Sequence, residues 1–290
     1  MVKNLSKEEY SNLQKEMARL KSIKYVNYSQ ALKDIGISYL SSVAHSAKLF
    51  HSLVYGKMAT LGIYLASSDL SGYNVCPSSS MCRDNCLVGS GRAMVSALAG
   101  KKNIINARIV KTRLFFANRE LFMRLLVHEI KRERLKAERM GMYFSVRLNC
   151  TSDINPESFV LNGKNILELF PDIVFYDYSK VSNRIKIAKK YTNYNVTWSI
   201  DGSEDNLNVG LDYLKNGGHV AVVYGSDVMP TYWYGYKTCN GDLTDYRPSD
   251  EFQVCMLKFK KTSNNYKNGR FIMPKSDFIV TENSKCCSWN

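Results

Sequence analysis

No stretch of about 18 consecutive apolar residues occurs in the chain, so the sequence offers no transmembrane helix and no membrane partner is expected. Residues 1–25, MVKNLSKEEYSNLQKEMARLKSIKY, are charged throughout and lack the apolar centre of a secretory signal. Internal repeats and low-complexity linkers are missing, which argues for one domain. The Cys-x2-Cys pairs of a zinc ribbon are missing too, as is the Lys-Ser/Thr of a phosphate-binding P-loop, so the glycine-rich GSGR at 89–92 does not mark an NTPase. Acidic residues are in deficit: 26 Asp and Glu face 40 Lys and Arg, a net charge of +14. Such a field draws in polyanions before any specific contact forms, which makes nucleic acid the expected partner.

What is present suffices for a core, with 45% hydrophobic and 12% aromatic residues in 290. Ser6 opens a Ser-x-x-Glu capping box, and Leu13, Met17 and Leu20 recur at helical spacing, so residues 6–22 are expected to form an amphipathic helix. Residues 29–34 and 41–53 read as two more, giving a helical extension over 1–55. The apolar run 58–66 reads as a buried strand and 93–111 as a helix. Asn118 caps a longer helix that Gly141 stops, and its charged run 129–139, EIKRERLKAER, reads as a solvated outer face.

Strands then alternate with helices: strands at 143–149, 173–177, 195–200, 219–224 and 253–259, helices at 166–170, 184–190 and 207–215. That alternation predicts parallel βαβ units. The expected fold is α/β, a complete or partial TIM-type (β/α) barrel over 56–261, with an open doubly wound sheet second. A polar tail, 262–290, is expected to pack on the same domain.

Three of the eight cysteines, Cys76, Cys82 and Cys86, fall in one turn-rich window just after the first predicted strand. A chain without a secretory signal is expected to keep thiols reduced or to use them on metal. Soft sulfur ligands this close are what zinc or an iron–sulfur cluster requires. Three local ligands imply a distant fourth, for which Cys239, Cys255 or a histidine are available, or an open position at which chemistry occurs.

Beyond the next strand, RLNCTSD at 147–153 supplies Arg147, Asn149, Ser152 and Asp153; beyond the one after it, FYDYSK at 175–180 supplies Asp177 and Lys180. Two acids on adjacent strand ends suit a nucleophile paired with a proton-transfer group. The plainer alternative makes Asp153 a turn cap and pairs Asp177 with Lys180 or an arginine. NGDLTDYRPSD at 240–250 gathers Asp242, Asp245, Arg247 and Asp250 into either a hairpin turn or a substrate clamp. The candidate catalytic residues are therefore Asp153, Asp177 and Asp245. Candidate nucleic-acid or substrate contacts are Arg92, Arg113, Arg147, Asn149, Ser152, Lys180 and Arg247.

These blocks resemble the phage proteins called the gene product eighty-eight family. The resemblance rests on Cys76-Pro77, Cys82, Cys86-Leu87, Gly91-Arg92, KTRLFF at 111–116, RLNCTSDI, ELFPDIVFYDYSK, NYNVTWSI, GHVAVVY and GDLTDYR. It implies a phage protein acting in the cytoplasm of the infected host, with DNA as the nucleic acid. Cys150 stands where that pattern has a glycine. Two enzyme groups are similar in parts. Guanine transglycosylases, which insert 7-deazaguanines, imply a barrel, a zinc ion held by cysteines, an attacking Asp and a base-recognising Asp, here Asp177 and Asp153 in either order, and a modified-base precursor as second substrate. Those enzymes carry their cysteines late in the chain, whereas here they come early. Radical S-adenosylmethionine enzymes imply a [4Fe-4S] cluster on three cysteines after the first barrel strand; position and count agree here, and spacing differs. The expected function is DNA base modification by transglycosylation, with the radical enzyme and a metal-stabilised, non-enzymatic DNA-binding protein as alternatives.

Overall fold

The computed structural model describes residues 5–43, 47–79, 82–83, 86, 103–260, 266–267, 270–271, 277 and 279–289. Helix α1 (Lys7–Ser22) starts at the expected capping box, in which Ser6 Oγ accepts the Glu9 N–H and the Glu9 carboxylate accepts the Ser6 N–H. Helix α2 (Tyr28–Ile35) ends at Gly36, whose φ of +86° is the left-handed stop that glycine takes without strain.

The single helix expected over 41–53 is instead a short strand, β1 (Ser41–Val43), followed by helix α3 (Ala47–Gly56). Ser41 accounts for the difference. Its N–H and hydroxyl both donate to the Glu129 carboxylate, which holds the chain extended while β1 pairs antiparallel with β2 (Met58–Ile63). Helix α4 (Asn103–Ala117) takes up the described part of the helix expected over 93–111, residues 93–102 lying outside the described set. Asn118 then caps α5 (Arg119–Arg139), accepting the Leu121 N–H.

The alternating second half forms as predicted: β3 (Tyr143–Arg147), α6 (Ile166–Leu169), β4 (Val174–Ser179), α7 (Asn183–Lys190), β5 (Tyr194–Ser199), α8 (Glu204–Lys215) and β6 (His219–Tyr224). Strands β7 (Tyr232–Trp233), β8 (Tyr236–Asn240), β9 (Val254–Lys258), β10 (Ile279–Val280) and β11 (Cys287–Ser288) follow. Among the described residues eleven strands make one sheet in the order β1-β2-β3-β4-β5-β6-β9-β8-β7-β11, with β10 paired to β6. From β2 to β9 six parallel strands stand in sequence order, and β8, parallel to β9, lies beyond it, so the chain steps back once between β8 and β9. Residues 241–253 join β8 to a parallel neighbour, so the Gly241-Asp242 block is a crossover and not a hairpin. The tail contributes β10 and β11 to the sheet.

Strand periodicity divides the sheet into two unlike faces. Leu61, Val146, Phe175 and Val196 share an apolar face that packs on Leu114, Phe122, Leu125, Leu126 and Ile130 of α4 and α5. Trp198, Val220, Val222, Val254 and Met256 continue it towards Leu214 of α8. The opposite face carries Thr60, Ser145, Arg147, Tyr176, Tyr178, Thr197 and Cys255. On that face the Thr60 and Ser145 hydroxyls bond at 2.8 Å and the Tyr176 hydroxyl donates to Thr60 at 3.4 Å.

Candidate active site

Polar groups beyond the carboxyl ends of β3 and β4 form one connected network. Asp177 lies on the apolar, helix-covered face of β4, beside Phe175 and Ser179, and is 1% exposed. Its carboxylate accepts the Asn149 N–H at 2.8 Å and the Asn149 side-chain amide at 3.0 Å, with the Tyr194 hydroxyl at 3.4 Å. Burial pushes its pKa up to about 7, against the Asn149 hydrogen bonds and the fields of Arg147 and Arg184, which favour ionisation. Asn149 is also the hub of the following turn. Its Oδ1 accepts the Ser152 hydroxyl and the Ile154 N–H, and its amide donates to the Ile154 carbonyl.

Asp153 ties three segments together. Its N–H donates to the Val75 carbonyl at 2.7 Å, anchoring the cysteine window. Its carboxylate accepts the Ser179 hydroxyl at 2.8 Å and the Lys180 N–H at 3.0 Å, with the Arg184 guanidinium at 3.5 Å. The Lys180 ammonium turns away to Ser199 Oγ at 3.1 Å. Asp153 and Asp177 are thus neighbours in one network, as their strand positions suggested, and each is engaged from several sides.

The cysteine window sits over this network. Cys76 Sγ receives the Ser68 N–H at 3.4 Å and faces the Thr151 carbonyl at 3.9 Å, while the Thr151 hydroxyl donates to the Leu65 carbonyl at 2.6 Å. Burial raises the Cys76 thiol to about 11, and Cys86, Asp153 and Cys82 lie close enough for their negative charge to push the same way. The three thiols and Asp153 therefore share one electrostatic neighbourhood. Among the described residues, no three His, Cys, Asp or Glu side chains converge on a single metal position.

Cys150 is a different case. Burial raises it to about 12, so it is an inert thiol, and it packs where only a glycine fits opposite: a Cβ on Gly62 would lie 2.8 Å from Cys150 Sγ. Gly62→Ala is expected to cost about 1–3 kcal/mol of stability. Adding Cys150→Ala should recover part of that loss in a double-mutant cycle followed by urea unfolding.

Asp245 belongs to the other face. Arg147 Nη1 donates to both of its carboxylate oxygens at 2.9 Å, the Tyr176 hydroxyl donates at 3.0 Å, and its own N–H reaches Ser52 Oγ of α3 at 2.9 Å. The Arg147 guanidinium lies 4.6 Å from the Tyr178 ring centre. Burial disfavours its charge, and the Asp245 carboxylate more than reverses this, so Arg147 stays protonated. Arg247 donates to Asp250 at 2.9 Å, to Cys255 Sγ at 2.6 Å and to the Thr244 carbonyl. The 241–253 segment is a clamp built of internal ion pairs.

Of the remaining expected contacts, Arg113 is held by Glu16 of α1 and the Ser71 carbonyl, and Arg92 lies outside the described residues. Sequence reasoning missed Ser179, Arg184 and Tyr194 around the two acids, and Tyr176, Tyr178 and Ser52 around Arg147. The alternation Phe175-Tyr176-Asp177-Tyr178-Ser179 held the signal, since it sends Asp177 and the two tyrosines to opposite faces.

Together these features define an α/β protein whose polar loops gather beyond the carboxyl ends of parallel strands, where this class keeps its binding and catalytic sites. The chain belongs to the phage protein family described as Gene product 88, whose profile matches residues 24–273. No curated protein and no solved structure matches it. Among the described residues no helix is long and apolar enough to cross a membrane.

Proposed function

We propose that this phage protein is a nucleic-acid base-modifying enzyme built on a partial barrel, with Cys76, Cys82 and Cys86 as ligands of its reactive centre. Sequential order of six parallel strands places their crossover helices on one side, and the sheet then curls to cover its other face. The Arg147–Asp245 contact brings the 241–253 crossover onto the polar face of β3, so that this face is covered by the chain itself.

The observation that carries the functional reading is where the uncommitted chemistry lies. All three candidate acids are engaged in hydrogen bonds and ion pairs within the protein, which speaks against a carboxylate aimed at a sugar carbon and so against zinc-supported transglycosylation. The thiols are placed differently. They follow the first parallel strand as a soft donor set, and Cys76, whose thiol is pushed up by burial and by the nearby Cys86, Asp153 and Cys82, sits where a bound cation would favour the thiolate. That donor set fits an iron–sulfur cluster better than a four-ligand structural zinc site, since three thiolates leave one position open. When bound, such a cluster supplies electrons for reductive cleavage of S-adenosylmethionine. The chain's own part is to hold the window through Asp153 and Val75, and to offer nucleic acid a surface of net charge +14.

Replacing Cys76, Cys82 or Cys86 by alanine should abolish reductant-dependent consumption of S-adenosylmethionine and strip the modified nucleoside from phage DNA digests analysed by mass spectrometry. Modified DNA from phage carrying all three substitutions would sink the reading.

A further inference from the structure

Helix α4 carries Arg108 and Lys111 three residues apart, on one face, next to the cysteine window. The Lys111 ammonium lies 4.4 Å from the Tyr39 ring centre and the Arg108 guanidinium 5.4 Å from that of Tyr64. Lys111 is 5% exposed and Arg108 partly buried. Each lies in the field of the other, and Arg108 is also in the fields of Cys86 and Cys150. Among the described residues neither side chain makes an ion pair.

Glu129 is the carboxylate whose field reaches Lys111, yet its oxygens are already taken. They accept the Leu40 N–H at 2.8 Å, the Ser41 N–H at 2.6 Å, the Tyr28 hydroxyl at 2.7 Å and the Ser41 hydroxyl. Lys111 therefore feels one committed carboxylate, and the groups whose fields favour the Arg108 charge are Tyr64, Cys150, Cys86 and Tyr39. Uncompensated buried charge is costly, and folded proteins retain it where a ligand completes the pairing. Burial and the Arg108 charge both push the Lys111 pKa down, to about 8, against the pull of Glu129.

We propose that Arg108 and Lys111 form a phosphate-binding site that holds the terminal phosphate of a small ligand beside the cysteine window. A planar guanidinium fork and a point-charge ammonium together suit a tetrahedral oxyanion, and two positive charges match a phosphate monoester better than a carboxylate. Lys111 is too deeply set for the backbone of a duplex to reach it. The site stands whichever metal the thiols hold, so its failure would leave the cysteine reading untouched.

Thermal unfolding of the full chain in inorganic phosphate, against sodium chloride at equal ionic strength and against acetate, tests the site. Phosphate should raise the Tm of the wild type saturably and beyond both controls. Arg108→Gln should weaken the phosphate effect at least about tenfold, the loss of one charge-assisted pair. Lys111→Met should abolish it while leaving the ligand-free Tm unchanged or higher. Three results would overturn the proposal: no phosphate-specific shift in the wild type, acetate acting as strongly as phosphate, or an undiminished shift in both variants. A steep fall in ligand-free Tm for Lys111→Met, with the phosphate effect intact in Arg108→Gln, would instead make Lys111 the structural counter-ion of Glu129.

Discussion

Asp245→Ala is expected to lower the unfolding free energy by about 3–5 kcal/mol, because it leaves the buried Arg147 guanidinium without its carboxylate. Arg147 has no ready substitute partner, its Nε being already buried without a hydrogen bond among the described residues. The same change removes the acceptor of the Tyr176 hydroxyl, while the backbone bond from residue 245 to Ser52 of α3 is retained. Replacing both partners by apolar residues, as in Arg147→Met with Asp245→Leu, should restore most of the loss, since the cost lies in the uncompensated charge. Urea unfolding separates the two cases: the single variant moves the midpoint far down, and the double variant brings it back. A single variant as stable as the wild type would mean that Arg147 is solvated, and that the polar face is not enclosed.

Asp177 should produce the second large effect, and its size depends on pH. Asp177→Ala deprives the Asn149 N–H and side-chain amide of their acceptor, each at a cost of about 1–3 kcal/mol. In the folded protein burial raises the Asp177 pKa from 3.8 to about 7, so the folded state holds this proton more tightly than the unfolded chain does. The resulting stabilisation is complete below the unfolded pKa and is lost as pH rises through the folded one. Wild-type stability should therefore decline between about pH 4 and pH 7 relative to Asp177→Asn, which has nothing to titrate there. Parallel stability profiles for the two proteins across that range would contradict the burial of this carboxyl.

Much of this architecture was legible in the sequence because short apolar strands and capped helices are local signals. The Ser6 capping box, the Asn118 cap and the six strands that became the parallel core all stand where their patterns placed them. The failures were matters of partnership, which local pattern does not carry. Ser41 to Val43 looked helical because the Glu129 carboxylate that holds Ser41 extended lies 88 residues away. Glu129 itself looked like the start of a solvated charge run, although it falls one turn beyond Leu125 on the apolar stripe of α5 and is fully buried.

Position in sequence located Asp153 and Asp177 correctly near one another. Asp177 is excluded from solvent by the face on which it stands, while Asp153, only partly buried, is held by Ser179 and Arg184, neither of which announces itself as a carboxylate partner. For the cysteines the reverse holds. Their nearness in sequence already made them a group, and the fold adds that Cys76 is half-buried beyond the first parallel strand, in the fields of Cys86, Asp153 and Cys82.

Metal and sulfide content decides the identity of that group. Full-length protein purified anaerobically should contain about four iron and four acid-labile sulfide per chain, with broad visible absorbance that Cys76→Ala removes. Zinc without sulfide, or a wild-type protein with no metal and the same stability as the Cys76 variant, would contradict the account.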